Sequence, residues 1–392
     1  MISLLHTPEG VRDLYGKELK EKKRLSENIL NTIKLYGYEL LDTPAFEYFD
    51  VFSKDIGTIP SKDLYKFFDK EGNTLVLRPD FTPSVARCTA KYFSEETMPL
   101  RFCYEGNTFI NTSELQGKLK ENTQTGFELI NDSSIYADAE SLSIVIESLL
   151  NAGLKEFQVS IGESNYFKGI CEEAKIDEET EMKLRDLITT KNFYASKNFL
   201  AEQKTDSSFL EKLEKISKVY LPANELENLL KDATNVRSRN AISRLIAIDK
   251  LIKEAGYEKY VTFDLSMLSK YHYYTGIIFT AYTYGVGNPI VKGGRYDQLI
   301  EKFGKNAPSV GCVFQIDEIL TALRRSGLSA KGEQEGKTII VYSAEKYDEA
   351  YAKACAFRKE GKRAELVLLS PEKDREYYEN KEAESGNVCL FV

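Results

Sequence analysis

Apolar residues recur at helical spacing early in the chain, over residues 17–36. Leu25, Ile29 and Ile33 fall on one face of that segment, and Gly37 is a natural C-terminal stop for a helix. The spacing therefore predicts a long helix that packs against a core through this face.

Short apolar runs with strand character follow the helix. They lie at 74–77, 100–104, 127–130 and 157–161, and the second and third are expected to face each other across the polar loop 111–125. These runs predict strands of a half-buried sheet.

Capping residues mark two further helices. Thr82 can cap a helix that begins near Pro83, and Asp138 can cap one that runs through Leu150 and ends at Gly153. Both helices are predicted to lie between strands of the same domain.

The pattern changes near residue 166. From there to about residue 255 the sequence is charged and helical in spacing, which predicts an inserted helical subdomain. Strand patterns return in YVTFDLS, TGIIFTAYTYG, NPIVKGG and SVGCVFQ, and the last of these runs into a helix. Residues 1–330 are interpreted as one domain interrupted by the insertion.

A Gly- and Glu-containing linker at 331–336 separates a tail of different character. Residues 337–392 alternate strand, helix, strand, helix and strand, an order typical of a small α/β domain with a mainly parallel sheet.

Composition excludes several classes of protein. No apolar run reaches the length of about 18 residues that a membrane span needs, and no basic stretch precedes an apolar core at the N-terminus, so a cytoplasmic protein is expected. The net charge of −8 argues against nucleic acid as the main partner. Six scattered cysteines without a CxxC pair indicate reduced thiols, and two histidines leave no His-rich metal site.

A set of separated segments carries the strongest functional signal. In chain order they are TPEGVRDL, GYELLDTPAFE, LRPDFTPSVAR, PLRFCYEGNTF, ENTQTGFELI, YHYYTG, KGGRYDQL and SVGCVFQIDEIL. Together they resemble the catalytic domain of class II aminoacyl-tRNA synthetases, specifically histidyl-tRNA synthetase. The resemblance implies an α+β fold, with an antiparallel sheet flanked by helices, and dimerisation through GYELLDTPAFE. The tail resembles a shortened anticodon-binding domain of that family.

Three positions where the family carries arginine have changed. Ile110 follows the PLR segment directly, Ser269 lies before the tyrosine pair, and Glu318 stands in the last helix of the third motif. Activation of an amino acid by ATP brings two anions together and therefore needs fixed cations. Loss of one such group costs about 10²–10³ in rate, so we expect no catalytic residues, no cofactor and no tRNA charging here.

The residues that bind histidine in the synthetase family are retained. The resemblance assigns histidine binding to Asp80, Thr82, Gln124, Glu128, Tyr273 and Tyr274. Each also has a structural interpretation: Asp80 and Thr82 as helix caps, Glu128 as a paired interior charge, and the tyrosines as core packing. The clamp on the histidine α-carboxylate is weakened at 110 and 269, so Lys270 or backbone amides would have to replace it.

A pocket that keeps its polar groups without catalytic cations is typical of a sensor. TPEGVRDL and LRPDFTPSVAR resemble one paralogous family in particular, the regulatory subunits of short-form ATP phosphoribosyltransferase, the first enzyme of histidine biosynthesis. This resemblance implies a hetero-octamer with the catalytic subunit, activation of that subunit and allosteric feedback inhibition by histidine. Two alternatives remain open: a histidyl-tRNA synthetase with a rearranged ATP site, and a synthetase-like amino-acid-binding module with another partner.

Overall fold

Two compact units make up the chain, residues 1–331 and 332–392. The computed structural model describes residues 4–53, 59–112, 118–202, 207–217, 220–268, 274–329, 336–383 and 387–392. The strands of the larger unit are β1 (Glu39–Leu40), β2 (Phe46–Tyr48), β3 (Lys66–Phe68), β4 (Thr74–Leu77), β5 (Leu100–Phe109), β6 (Glu121–Ile130), β7 (Phe157–Glu163), β8 (Val261–Phe263), β9 (Ile277–Thr283), β10 (Val291–Arg295) and β11 (Ser309–Gln315). Its helices are α1 (Gly16–Leu35), α2 (Thr82–Tyr92), α3 (Ile135–Ala152), α4 (Ser164–Glu173), α5 (Glu178–Thr189), α6 (Phe193–Glu202), α7 (Ser207–Ile216), α8 (Asn224–Asp232), α9 (Val236–Glu254) and α10 (Ile316–Arg325).

Among the described residues, eight strands form the main sheet in the order β1-β5-β6-β11-β10-β9-β7-β8. The six inner strands pair antiparallel with one another. At the two edges β1 pairs parallel to β5 and β8 pairs parallel to β7. The predicted α+β architecture is confirmed, and the sheet differs from a fully antiparallel one only at its edges. A separate small sheet has the order β2-β4-β3.

The two faces of the main sheet pack against different helices. Phe127 and Leu129 of β6 belong to one hydrophobic cluster with Leu25 of α1, a cluster to which α3 also contributes. Tyr104 of β5 belongs to a second cluster with Phe81, which directly precedes α2. Because side chains alternate between faces along a strand, the residues of β6 that do not join the first cluster face the α2 side.

Both caps predicted from the sequence are wrong in detail. Thr82 is the first residue of α2 but makes no capping bond, because its hydroxyl donates to Glu128 instead. Ser134, rather than Asp138, caps α3 by accepting from the backbone N–H of Ala137 at 3.3 Å. The predicted stop at Gly153 is confirmed, with a left-handed φ of 104°.

The insertion is helical, as predicted, and comprises α4 to α9 in the part of the chain that the structure describes. Side chains of Glu163, Asp177 and Asn235 cap α4, α5 and α9. Apolar faces of these helices join the main cluster under the sheet, so the insertion is continuous with the core of the larger unit.

The smaller unit contains β12 (Thr338–Tyr342), α11 (Tyr347–Lys359), β13 (Ala364–Leu368), α12 (Arg375–Ala383) and β14 (Val388–Phe391). Its strands pair parallel in the order β13-β12-β14, as the alternating pattern predicted. No helix in the described ranges of the chain is both long enough and apolar enough to cross a membrane.

Candidate functional site

A cavity of about 330 Å³ lies on the α2 side of the main sheet. Its size is at the lower end of the range of about 300–1,000 Å³ that is usual for small-molecule sites, so it suits a small ligand. Its lining residues are Ile59, Pro79, Asp80, Thr82, Thr108, Ile110, Asn122, Gln124, Tyr274, Lys292, Gly293, Tyr296, Gly311, Cys312, Val313 and Gln315.

Two glycines on this face of the sheet leave room for the polar side chains beneath the cavity. Gly311 of β11 stands opposite Glu128 of β6, and a Cβ at Gly311 would collide with the Glu128 carboxyl group. Gly126 stands opposite Tyr104, and a Cβ there would lie 2.6 Å from the Tyr104 hydroxyl oxygen. A side chain at either glycine would therefore displace the polar groups beneath the cavity.

The structure brings most of the predicted histidine-binding residues together. Asp80, Thr82, Gln124 and Tyr274 line the cavity. Glu128 lies directly behind the wall and contacts it through the hydroxyls of Thr82 and Tyr296, which both line the cavity. The sixth predicted residue, Tyr273, lies outside the described residues.

Glu128 is the centre of a buried hydrogen-bond network. Its Oε1 accepts from the Thr82 hydroxyl at 2.8 Å and from the Tyr104 hydroxyl at 3.0 Å, and its Oε2 accepts from the Tyr296 hydroxyl. Only 1% of Glu128 is exposed. The carboxyl group thus fixes the positions of two hydroxyls that line the cavity, those of Thr82 and Tyr296.

Burial raises the pKa of Glu128 to about 8, and the charge of Asp80 acts in the same direction. The three hydroxyl donors lower it but do not offset the loss of hydration. At neutral pH this side chain is therefore mainly a neutral carboxylic acid. The acidic side chain that lines the cavity itself is that of Asp80.

A stack of planar groups holds Tyr104 beneath the cavity. The rings of Phe81 and Tyr104 lie 4.4 Å apart with an interplanar angle of 14°, and the Arg78 guanidinium lies 4.0 Å from the Phe81 ring centre. Arg78 is fixed in turn by hydrogen bonds to the carbonyls of Thr43 and Asn107. The LRPDF sequence therefore contributes structural support as well as the Asp80 carboxylate.

Gln124 has an unsatisfied polar atom next to the cavity. The side chain is 6% exposed, and its Oε1 has no hydrogen-bond partner. A buried acceptor in this state costs about 1–3 kcal/mol. A ligand that donates a hydrogen bond from the cavity would remove this cost.

The positions at which the synthetase arginines are replaced differ in their surroundings. Ile110 lines the cavity, so an alkyl side chain stands in its wall. Glu318 lies in the first turn of α10 and accepts a hydrogen bond from the Asn288 amide at 2.8 Å. Ser269, and Lys270 beside it, lie outside the described residues. Arg295, the nearby cation in KGGRYDQL, is bound to Asp138 and Asp297.

Sequence reasoning missed five described residues of the cavity with oxygen- or nitrogen-bearing side chains: Thr108, Asn122, Lys292, Tyr296 and Gln315. All five lie in segments that carry the family resemblance, and Lys292 also lies in NPIVKGG, whose predicted strand is β10. The alternation of strand side chains could have placed Lys292 and Gly294 on one face and Arg295 on the other.

No group of three or more metal-binding side chains occurs among the described residues. All six cysteines are free thiols, and Cys88, Cys103, Cys171 and Cys312 are buried. The polar side chains that line the cavity can donate and accept hydrogen bonds to an organic ligand.

Known proteins resemble the chain over most of its length. The family model for histidyl-tRNA synthetase matches residues 10–319. An ATP phosphoribosyltransferase regulatory subunit from Acetivibrio thermocellus is 36% identical, covering 93% of this chain and 87% of that protein. One from Clostridium kluyveri is also 36% identical, covering 96% of this chain and 97% of that protein. The chain belongs to the family of ATP phosphoribosyltransferase regulatory subunits.

A solved structure agrees with this assignment. It is described as an ATP phosphoribosyltransferase regulatory subunit/histidyl-tRNA synthetase from Bacillus halodurans and aligns over 100% of both chains, with a TM-score of 0.89 and 28% identity. Membership in the regulatory-subunit family gives the chain a regulatory rather than a catalytic role, as the sequence predicted. The synthetase-like fold and the replaced arginines are consistent with that role.

Proposed function

We propose that the chain binds L-histidine in this cavity and thereby controls an ATP phosphoribosyltransferase catalytic subunit, the partner that the name of its relatives implies. The complex is a hetero-octamer built on a dimer of this chain. The catalytic subunit requires the chain for activity, and histidine inhibits the complex.

The unsatisfied Oε1 of Gln124 is the observation that carries this proposal. Together with the Asp80 carboxylate it forms an acceptor-rich wall, which matches the three N–H donors of an α-ammonium group. Binding such a group gives Gln124 the partner that it lacks in the free protein. The free energy gained from these hydrogen bonds offsets part of the entropic cost of immobilising the ligand.

The hydroxyl-bearing wall suits the imidazole ring. Tyr274 and Tyr296 present phenol groups to the cavity, and Thr82 presents a hydroxyl that Glu128 orients. A neutral imidazole has one donor and one acceptor nitrogen, and hydroxyls can serve either. Aromatic rings also pack well against the planar faces of imidazole.

The same wall provides a route for regulation. Thr82 begins α2, whereas Gln124 lies on β6, so a ligand held by both joins a helix end to the central sheet. Allosteric couplings of about 1–3 kcal/mol are typical. If a shift of α2 carries a coupling free energy of this size, it is sufficient to change the activity of a bound partner several-fold or more.

Amino-acid activation is not part of the proposed function. Ile110 supplies no charge to the cavity wall, and the Glu318 carboxylate would repel a triphosphate. Exchange of pyrophosphate into ATP in the presence of histidine should therefore be undetectable, and tRNA should not be charged. Detectable histidine-dependent exchange would contradict this part of the proposal.

Reconstitution with a short catalytic subunit tests the regulatory role. Phosphoribosyl transfer should be low for the catalytic subunit alone, rise when this chain is added and fall again with histidine. Native mass spectrometry of the same mixture should give the mass of a hetero-octamer. A catalytic subunit that is equally active alone would overturn the proposal.

A matched pair of variants connects the inhibition to the cavity. Gln124→Leu should leave activation intact and reduce inhibition by histidine, whereas the exposed Gln298→Leu should leave both unchanged. Equal inhibition of all three proteins would show that histidine acts elsewhere.

A further inference from the structure

The cavity contains one positive and one negative side chain among its described residues. Lys292 is the cation and Asp80 the carboxylate, and the other described lining side chains are neutral hydrogen-bonding or apolar groups. A site with one charge of each sign is electrostatically complementary to a zwitterion. It is less complementary to a ligand that carries a net charge of either sign.

Strand register places Lys292 on the cavity side of the sheet. It stands opposite Val313 of β11, which also lines the cavity, and opposite Thr280 of β9. Arg295 lies three positions further along β10 and therefore faces the opposite side. There it is held by Asp138 and Asp297. Of these two cations, Lys292 is the one available to the cavity.

Lys292 has no fixed counter-charge within the described part of the chain. Its ammonium group makes no hydrogen bond or salt bridge with any described residue, and the side chain is exposed. Desolvation and the charge of Lys118 lower the pKa of Lys292, while the charges of Asp80 and Glu318 raise it. An ammonium group that lies beside a cavity and has no ion-pair partner of its own can bind the carboxylate of a ligand.

We propose that Lys292 binds the α-carboxylate of the amino acid and makes the cavity selective for the zwitterion, an inference that rests on the proposed histidine site. The α-ammonium lies toward Asp80 and Gln124, and the carboxylate lies toward β10. This arrangement compensates for the alkyl side chain of Ile110, which cannot bind an anion. The cavity thus discriminates L-histidine from histamine, which lacks the carboxylate, and from L-histidinol, which has a hydroxymethyl group in its place.

Isothermal titration of the full chain with L-histidine, histamine and L-histidinol tests this assignment. The wild-type protein should bind L-histidine about 10- to 100-fold more tightly than the other two, the factor expected for one charge-assisted hydrogen bond. Lys292→Met should lose that factor for L-histidine and keep its affinity for histamine within about threefold. Lys292→Arg should restore most of the selectivity, because it restores the charge.

Controls separate a ligand contact from a structural role. Lys302→Met, which removes an exposed lysine outside the cavity, should bind all three ligands as the wild type does. Lys292→Met should also retain the wild-type melting temperature, since Lys292 holds no described residue in place. Equal loss of L-histidine and histamine in Lys292→Met would overturn the assignment.

The outcomes also separate this inference from the function on which it rests. If Lys292→Met binds L-histidine as tightly as the wild type, Lys292 is not the carboxylate site and the histidine site survives. Loss of selectivity in Lys270→Met, with none in Lys292→Met, would assign the carboxylate to Lys270 instead. If the wild-type chain binds none of the three ligands, both proposals fail.

Discussion

Arg295 donates from Nε to Asp138 Oδ1 at 2.9 Å, and the side chains of the two residues are 3% and 0% exposed. Asp138 also accepts from Nε of Arg244 at 2.6 Å. One carboxylate therefore joins β10, α3 and α9. This buried pair connects the sheet that forms the cavity to the helical insertion.

Asp138→Ala should strongly destabilise the larger unit. The change leaves the Arg295 guanidinium buried without its main partner, which typically costs about 3–5 kcal/mol. Urea denaturation followed by circular dichroism measures the free energy of unfolding. Lys353→Ala, which removes one half of an exposed ion pair on α11, should have little effect. A similarly small effect for both variants would show that the buried network contributes nothing.

Because of the raised pKa of Glu128, the free energy of unfolding should fall as the pH rises. Its pKa is about 8 in the folded protein and 4.5 in the absence of the fold, so between these values only the unfolded chain has lost the proton. The stabilising contribution of Glu128 to the free energy of unfolding is fully present below about pH 4.5 and is lost progressively up to about pH 8. At about 1.4 kcal/mol per pKa unit it amounts to a few kcal/mol.

Glu128→Gln removes this titration while it keeps a neutral group of the same shape. The free energy of unfolding of the variant, measured in urea at pH 5 and pH 8.5, should fall less over this interval than that of the wild type. The exposed Glu301→Gln should follow the wild-type profile. Parallel profiles for all three proteins would mean that Glu128 is ionised in the folded state.

Gln124→Leu should affect stability and binding in opposite directions. Removing the unsatisfied Oε1 should raise the free energy of unfolding of the ligand-free protein by about 1 kcal/mol. The rise in melting temperature on addition of histidine should become smaller, because the ligand loses an acceptor. Differential scanning fluorimetry with and without histidine measures both. A variant less stable than the wild type without ligand would contradict the interpretation of Gln124.

The buried thiols should resist alkylation in the native protein. Burial raises the pKa of Cys103 to about 11 and that of Cys312 well above its ordinary value, so little reactive thiolate forms at neutral pH. Cys355 and Cys389 are partly accessible and should react first with iodoacetamide. Peptide mass spectrometry resolves the order, and early modification of Cys312 would indicate that the cavity opens widely.

Local sequence patterns were sufficient for most elements and for part of the site. Alternation along ENTQTGFELI places Gln124, Gly126 and Glu128 on one face of β6, as the structure has them. The stop at Gly153 followed from the backbone freedom of glycine. Such features depend on residues that are close in sequence, so a single segment contains the information.

Features decided by distant partners could not be predicted in this way. Thr82 has the sequence context of a helix cap, but its hydroxyl donates a hydrogen bond to the carboxyl group of Glu128, 46 residues away. Asp138 likewise pairs with Arg295, 157 residues away, instead of capping its helix. The position of Lys292 beside the cavity depends on the register of three strands from both halves of the chain.

The strand order has a consequence for how the protein is made. One edge of β6 pairs with β5, which precedes it in the chain. The other edge pairs with β11, which is synthesised only after the entire helical insertion. At translation rates of about 5–20 residues per second, that edge stays open on the ribosome for tens of seconds. An unpaired strand edge is a template for intermolecular pairing, so the nascent chain should depend on chaperones until β11 emerges.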